Sequence, residues 1–436
     1  MNGLRCRHLA SFLVVGAIFL ASCAPTQVPS ATSAPAKPAE AAKAGPTQAA
    51  PAAPVAQPAA TTAPPPQPAA TTAPAAKPAA GAPIRVGMSA AFSGPTAYLG
   101  ENAKKAIEMG MEDWNAKGGI NGRMFELVSG DNANNPQQGV TVSRKLIDVD
   151  KVPVVLGQLN SSVTLAAMPV FLEKQIPSIA YVDTNRKIYD GMGVGGNPWV
   201  FRINADDFMM ADAYAGVLAQ EAKSYAIVAQ GDDYGRGAAA QYEPRLKQAG
   251  VNVTSVSYYD VGTADFRPIL SKIQADKPEA LLLVMLANDG SVFMRQYGEL
   301  GLKQKIFSRG ALVSKEFLDR IKDNPSLAEG IVEATVWTSG EDPEMETRFE
   351  KKYNEPIVIH GAMAYYAFQA LAQALKLNGG DDSPAAVQAA LKKVDYKEPG
   401  LGQINFDDHN QAYPNMSLAT IKDGKIVLLK VIPTKK

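Results

Sequence analysis

From residue 84 onward, short apolar runs too brief to be helices alternate with longer stretches whose apolar residues recur on one helical face. The runs at 84–88, 124–128, 152–156, 225–229, 251–256 and 280–284 read as buried strands. The stretches at 101–117, 137–148, 162–174, 209–221, 234–249, 266–275 and 291–300 have the length and spacing of helices with one buried face. Strand and helix in strict alternation build parallel sheets covered by helices, joined by right-handed crossovers. The expected fold class is therefore α/β.

Roughly 350 residues carry this pattern, more than a single hydrophobic core usually serves, so two lobes with two parallel sheets are expected. The first series ends near Phe201-Arg202-Ile203 and a second begins after Ala205-Asp206-Asp207. A helix-rich stretch at 345–353, 361–377 and 383–393 returns to the first lobe, and an antiparallel pair at 418–422 and 425–431 is turned by Asp423-Gly424. These divisions place the first lobe at 83–204 plus 336–406 and the second at 205–335 plus 407–436.

The N-terminus has Arg5, Arg7 and His8, then an apolar run at 12–20, then small residues, which is the layout of a secretory signal at 1–22. Leu20-Ala21-Ser22-Cys23 resembles the lipobox of bacterial lipoproteins, which makes Cys23 the expected site of lipidation. Residues 23–82 are almost entirely Ala, Pro, Thr and Gln, with an octapeptide at 57–64 repeated at 67–74, as in a disordered tether. Export and a lipid anchor imply an extracytoplasmic, membrane-attached protein. Cys6 leaves with the signal, so the mature chain has no disulfide, thiolate nucleophile or Cys-based metal site. The longest later apolar stretch, 280–287, is far short of the roughly 20 residues a spanning helix needs. With 43 basic and 43 acidic residues and no dense basic cluster, nothing supports nucleic-acid binding.

Enzyme readings find little support. The G-x-G-x-x-G at Gly191, Gly193 and Gly196 has no strand before it, and Asn197-Pro198 stops a helix after it, so it reads as a loop. His360 and His409 stand far from any second His or Cys, and no G-x-S-x-G elbow occurs. Asp206-Asp207 and Asp232-Asp233 read as helix-start charges. No catalysis, metal or cofactor is expected, and a monomer is.

Four segments occur in a telling order: Ala91-Phe92-Ser93-Gly94-Pro95, the run from Asn115 to Gly122 with Gly118-Gly119 at its centre, Phe201-Arg202, and Asp233-Tyr234-Gly235. Together they resemble the Leu/Ile/Val-binding family of ABC-transporter substrate-binding proteins, the type I periplasmic binding proteins. The resemblance implies two Rossmann-like lobes joined by three hinge crossovers, here near Asn204, Ala334 and Phe406, with the ligand cleft between the lobes. It also implies capture of a branched-chain or other amino acid by hinge closure, and partners in the permease and ATPase subunits of an ABC importer. A sensory receptor of the same fold is the alternative.

In open parallel sheets, ligands settle outside the carboxyl ends of the strands. After the run at 152–156 the segment 157–162 leads into a helix, so Ser161 and Ser162 sit where hydroxyls and free amides meet an anion. The resemblance assigns a solute's carboxylate and amine to Ser161, Thr184 and the Val182 carbonyl, and lays Tyr234 over its side chain, with Tyr98 a further aromatic from the first lobe. Helix capping is the alternative for Ser161 and Thr184, and a surface loop position is the alternative for Tyr234. The acid that meets the ammonium in the family falls here on Gly310. Asp183 or Asp289 could replace it, or both are solvated loop acids. Arg309, unless it is a surface residue, would instead favour a second carboxylate or an amine-free aromatic or keto acid. Leu286 and Gly361 fall where family members carry aromatics, which predicts a roomier cleft.

Overall fold

A computed structural model describes residues 81–434. The expected signal, the lipidation site Cys23 and nearly all of the tether lie outside them. The first sheet contains β1 (Ile84–Ala90), β2 (Phe125–Asp131), β3 (Val155–Gly157), β4 (Ser178–Ala180) and β5 (Val200–Arg202). Its spatial order is β2-β1-β3-β4-β5, parallel throughout. The connecting helices are α1 (Ala97–Ala116), α2 (Pro136–Asp148), α3 (Ser161–Lys174) and α4 (Arg186–Gly191). The α2 start is set locally: Asn135 accepts from the Gln138 amide, and Pro136 supplies a preset φ where no donor is needed.

The second sheet is built from α5 (Asp207–Glu221), β6 (Ser224–Gln230), α6 (Asp233–Gln248), β7 (Asn252–Tyr259), α7 (Arg267–Asp276), β8 (Ala280–Val284), α8 (Ala287–Glu299), β9 (Lys305–Ser308), α9 (Lys315–Arg320) and β10 (Val332–Thr335). The chain then forms α10 (Pro343–Tyr353), α11 (Ile359–Leu377), α12 (Pro384–Leu391) and a small hairpin of β11 (Asp395–Glu398) and β12 (Gly402–Asn405). It ends in β13 (Met416–Lys422) and β14 (Lys425–Ile432). The second sheet has the order β14-β13-β10-β9-β8-β6-β7, with β13 antiparallel to β10 and β14 antiparallel in turn to β13. Asp423 and Gly424 both have positive φ, 52° and 69°, as a two-residue turn of this hand requires.

Both sheets are helix-covered α/β layers of the type I periplasmic binding protein fold. Strands β4, β5, β9 and β10 span only three or four residues and carry too little pattern to be read in the sequence beforehand. Helix α11 is buried nearly all round and packs on α1 and β3, so the late helices belong with the first sheet.

The chain passes between the sheets three times: at 203–206, after Thr335, and between Asn405 and Met416. The first and third passages are bonded side by side. The Arg202 amide donates to the Asn410 carbonyl at 3.0 Å, and the Ala412 amide donates to the Arg202 carbonyl at 2.9 Å. The fully buried Arg202 side chain donates from Nε to Gln411 Oε1 at 2.7 Å. The glycine-rich loop at 191–197 belongs to this region and has neither a leading strand nor a following helix. At Gly193, φ is 70° and a Cβ would lie 2.1 Å from the His409 Cα, so glycine is required there.

Candidate functional site

Loops at the carboxyl ends of both sheets line one cavity. Leu159, Asn160 and Ser161 reach it after β3, and Val182, Asp183 and Thr184 after β4. From the second sheet come Gln230 at the end of β6, Tyr234 in the first turn of α6, Leu286 after β8, and Arg309 and Gly310 after β9. The crossing segments add Asn204, Thr335 and Val336, and the start of α11 adds Ile359 and His360.

Ser161 opens α3, which is capped by Asn160 through a hydrogen bond from the Ser162 amide at 2.8 Å. The Ser161 Oγ accepts from the amides of Thr184 and Asn185, each at 3.3 Å, which leaves its proton to donate. The first-turn amides of a helix have no acceptor within the helix, and α3 begins at the cavity wall.

Ser162, expected in the site, is turned away from it. Its Oγ accepts from the Asp233 amide at 3.1 Å, tying α3 to α6 across the two lobes. Asn160 does the same, donating to Asp232 at 2.9 Å, and Asn185 donates to the Asp233 carbonyl. Tyr98 is a second correction. Helix α1 starts at Ala97 rather than at 101, so Tyr98 lies in a helical first turn, not a loop. It faces α9 outside the cavity, with the Arg320 guanidinium 4.6 Å from its ring centre. Gly361 is also displaced from the cavity: a Cβ there would lie 2.2 Å from Asn102 Oδ1, so it serves the close packing of α11 on α1 and adds no room for a solute.

Arg309 does line the cavity, but its charge is already met. It pairs with Asp207, the first residue of α5, and its guanidinium lies 4.8 Å from the Tyr234 ring centre. Burial pushes the Asp207 carboxyl up to about 6, against the opposing pull of the Arg309 charge. Tyr234 is held by donating its hydroxyl to the Arg309 carbonyl at 3.2 Å. The expectation that Arg309 offers a free cation is thereby corrected.

Of the two acids considered as replacements at Gly310, Asp289 is occupied by the Gly262 amide at 3.1 Å and does not reach the cavity. Asp183 does line it. A side chain at 310 has no space, since its Cβ would lie 2.1 Å from the Met285 carbonyl oxygen. His360 and Gln230 are cavity residues that the sequence reading did not single out. Burial holds His360 down to about 4, so it is neutral. Gln230 directly follows the expected strand at 225–229, which the carboxyl-edge rule would have flagged.

Residues 83–425 match the family model described as periplasmic binding protein. The chain belongs to the periplasmic binding protein family. Members of this family are binding receptors and not enzymes. Among curated relatives, the chain is 29% identical over 339 residues to Leu/Ile/Val-binding protein homolog 2 of Brucella abortus, covering 75% of this chain and 86% of that one. An amino acid binding protein of Pseudomonas aeruginosa is 29% identical over 338 residues, covering 73% and 87%. The fold matches the Streptococcus pneumoniae branched-chain amino acid transporter substrate binding protein LivJ in complex with isoleucine, with a TM-score of 0.71, 21% identity, and coverage of 81% and 100%. It also matches an R. palustris solute binding protein in complex with benzoate, with a TM-score of 0.72, 21% identity, and coverage of 81% and 97%. Among the described residues of this periplasmic binding protein, no group of three His, Cys, Asp or Glu side chains is placed to hold a metal. Among the same residues, no helix is long and apolar enough to cross a membrane.

Proposed function

We propose that the protein is the extracytoplasmic receptor of an ABC importer and captures a small carboxylate-bearing solute by closing its two lobes around it. One observation carries the reading: Ser161 at the start of α3 and Tyr234 at the start of α6 line the same cavity from opposite sheets. A carboxylate at the α3 N-terminus meets first-turn amides, the favourable end of the helix dipole and the Ser161 hydroxyl, with Thr184 and the Val182 carbonyl beside it. Tyr234 and Leu286 then cover the solute from the second lobe. A solute bridging both lobes binds the closed form better than the open one and shifts the population by that difference.

The comparisons support the reading, because the solutes named for the two solved neighbours, isoleucine and benzoate, share a carboxylate. In this reading Cys23 bears the lipid, the tether carries the receptor from the membrane, and the closed shape is recognised by permease and ATPase subunits. A thermal-shift panel of amino, hydroxy, oxo and aromatic acids tests it. A ligand at 100 times its Kd raises stability by ~2.7 kcal/mol. Ser161→Ala with Thr184→Ala should abolish the shift for the best compound. An undiminished shift places the solute elsewhere and rejects the reading.

A further inference from the structure

We infer that Ser162, Asn185 and Asp233, which do not line the cavity, set the largest solute the protein accepts, because they clasp the lobes together only over a solute of limited height. The inference rests on the reading of the cavity as the solute site and adds to it a limit on size.

Three short segments supply both the site and the clasp, and in each the two roles fall on adjacent residues. On the first lobe Ser161 faces the cavity while its neighbours reach across. The Ser162 Oγ accepts from the Asp233 amide at 3.1 Å, and Asn160 donates to Asp232 at 2.9 Å. Thr184 faces the cavity, and Asn185 next to it donates from Nδ2 to the Asp233 carbonyl. On the second lobe Tyr234 faces the cavity, and the two residues before it take part in all three bonds.

The gripping groups are themselves held. Asn160 and Asn185 accept the Ser162 and Lys187 amides on Oδ1, at 2.8 and 2.9 Å, so each turns its Nδ2 toward the other lobe. Asp232 caps α6, accepting from the Gly235 amide at 3.2 Å. One turn along α6 from Asp233, a Cβ at Gly237 would lie 2.5 Å from Asn185 Nδ2 and 2.7 Å from Asp207 Oδ2. Helix α6 therefore comes down on the loop after β4 only because position 237 has no side chain.

This arrangement fixes the height between Ser161 and Tyr234, since each is flanked by residues bonded to the opposite lobe. Bonds at 2.9 and 3.1 Å leave hydrogen-bond range after a lift of about 1 Å. A solute that fits beneath Tyr234 gains the clasp along with its own contacts. A taller one props α6 up and forfeits the three bonds together, so it stabilises the closed form less. One hydrogen bond of ordinary net worth is a factor of roughly 2 to 12 in an equilibrium. The clasp thus discriminates by size through residues the solute does not touch.

The test is calorimetric titration of the full chain with two ladders of rising size: L-alanine, L-valine, L-leucine, L-phenylalanine and L-tryptophan, and acetate, butanoate, hexanoate, benzoate and 2-naphthoate. Weak solutes are read by displacement of the best one. On the ladder that binds, wild-type affinity should rise and then drop at one step. Ser162→Ala with Asn185→Ala should weaken the best solute at least about 5-fold and leave the next larger one, which already forgoes the clasp, within about 2-fold. Gly237→Ala keeps every bonding side chain and should give the same pattern, so the inference stands or falls even where the double variant fails to fold. A ladder without a drop overturns it, as does a loss that is absent or equal at every size. A larger solute that displaces nothing from any of these proteins shows that the wall alone sets the limit, and overturns it too. If Ser161→Ala with Thr184→Ala abolishes binding while the clasp variants lose equally at every size, the cavity reading survives and only the size limit falls. If that protein binds the best solute unchanged, or no compound on either ladder binds, the cavity reading falls and takes the inference with it.

Discussion

The Arg309 guanidinium and the Asp207 carboxylate pair beside the cavity with almost no contact with water: Arg309 is 3% exposed and Asp207 is fully buried. Asp207 also donates its backbone amide to the Thr184 carbonyl at 2.7 Å, so the pair fixes the second lobe's wall to a loop of the first. Breaking such a pair on one side leaves an uncompensated buried charge. Arg309→Met should therefore cost about 3–5 kcal/mol in denaturant unfolding. Arg309→Met combined with Asp207→Asn should recover most of that loss. Equal losses in the single and double variants would show that packing, not charge, sets the cost.

Two buried groups at the cavity give opposite pH dependences. Burial holds Asp183 at about 6, above its unfolded value near 4, so its ionisation opposes folding. Its contribution is full below about pH 4 and is lost as pH rises through 6. Solute-free Asp183→Asn should exceed wild type by up to about 3 kcal/mol at pH 8, and the gap should vanish near pH 4. Burial holds His360 at about 4, below its unfolded 6.5 or so, so its contribution is full above that value and lost as pH falls through 4. His360→Leu should accordingly lose less stability than wild type between pH 6.5 and 4. Denaturation midpoints across pH 4–8 read both effects, and parallel curves for all three proteins contradict them.

Tyr98 joins the lobes without reaching the cavity. Its ring lies under Arg320, whose Nε donates to Glu316 at 3.0 Å and whose Nη1 donates to Asn288 at 3.1 Å. A cation–π contact of this kind is worth about 0.5–2 kcal/mol. Tyr98→Ala should raise the solute's dissociation rate by roughly 2- to 30-fold and leave the ranking of solutes unchanged. Stopped-flow dissociation checks this, and a reordered preference would return Tyr98 to the site.

Restoring an acid at position 310 should fail. The contact at 2.1 Å is with the Met285 backbone oxygen, which cannot swing aside as a side chain would. Gly310→Asp should lower stability by about 1–3 kcal/mol or more, with no gain in affinity for amines. A stable variant with tighter amino acid binding would show that β8 and the loop after β9 yield more readily than their packing implies.

Much of this architecture is legible in the chain because strands such as β6 and β8 carry unbroken apolar runs, at 225–229 and 280–284. Asp206 and Asp232, read as helix-start charges, cap α5 and α6 by accepting from the Met209 amide at 2.7 Å and the Gly235 amide at 3.2 Å. Local pattern also finds the strand-to-helix junctions that bring Ser161 and Thr184 to the cavity. It cannot show which charges meet. Asp207 looks like one more helix-start acid until folding sets Arg309, a hundred residues away, against it. His360 is hidden for the same reason, since only the passage after Thr335 brings the start of α11 to the wall.

The second sheet is finished by the last stretch of chain, with β13 laid antiparallel on β10 and β14 on β13. Every earlier residue can be in place and β10 still has a bare margin of unpaired amides and carbonyls. A copy cut short before Met416, by a stop codon or a protease, consequently leaves β10 as the edge of the sheet. The final segment gives β10 its neighbour and moves the outer edge of the sheet from β10 to β14.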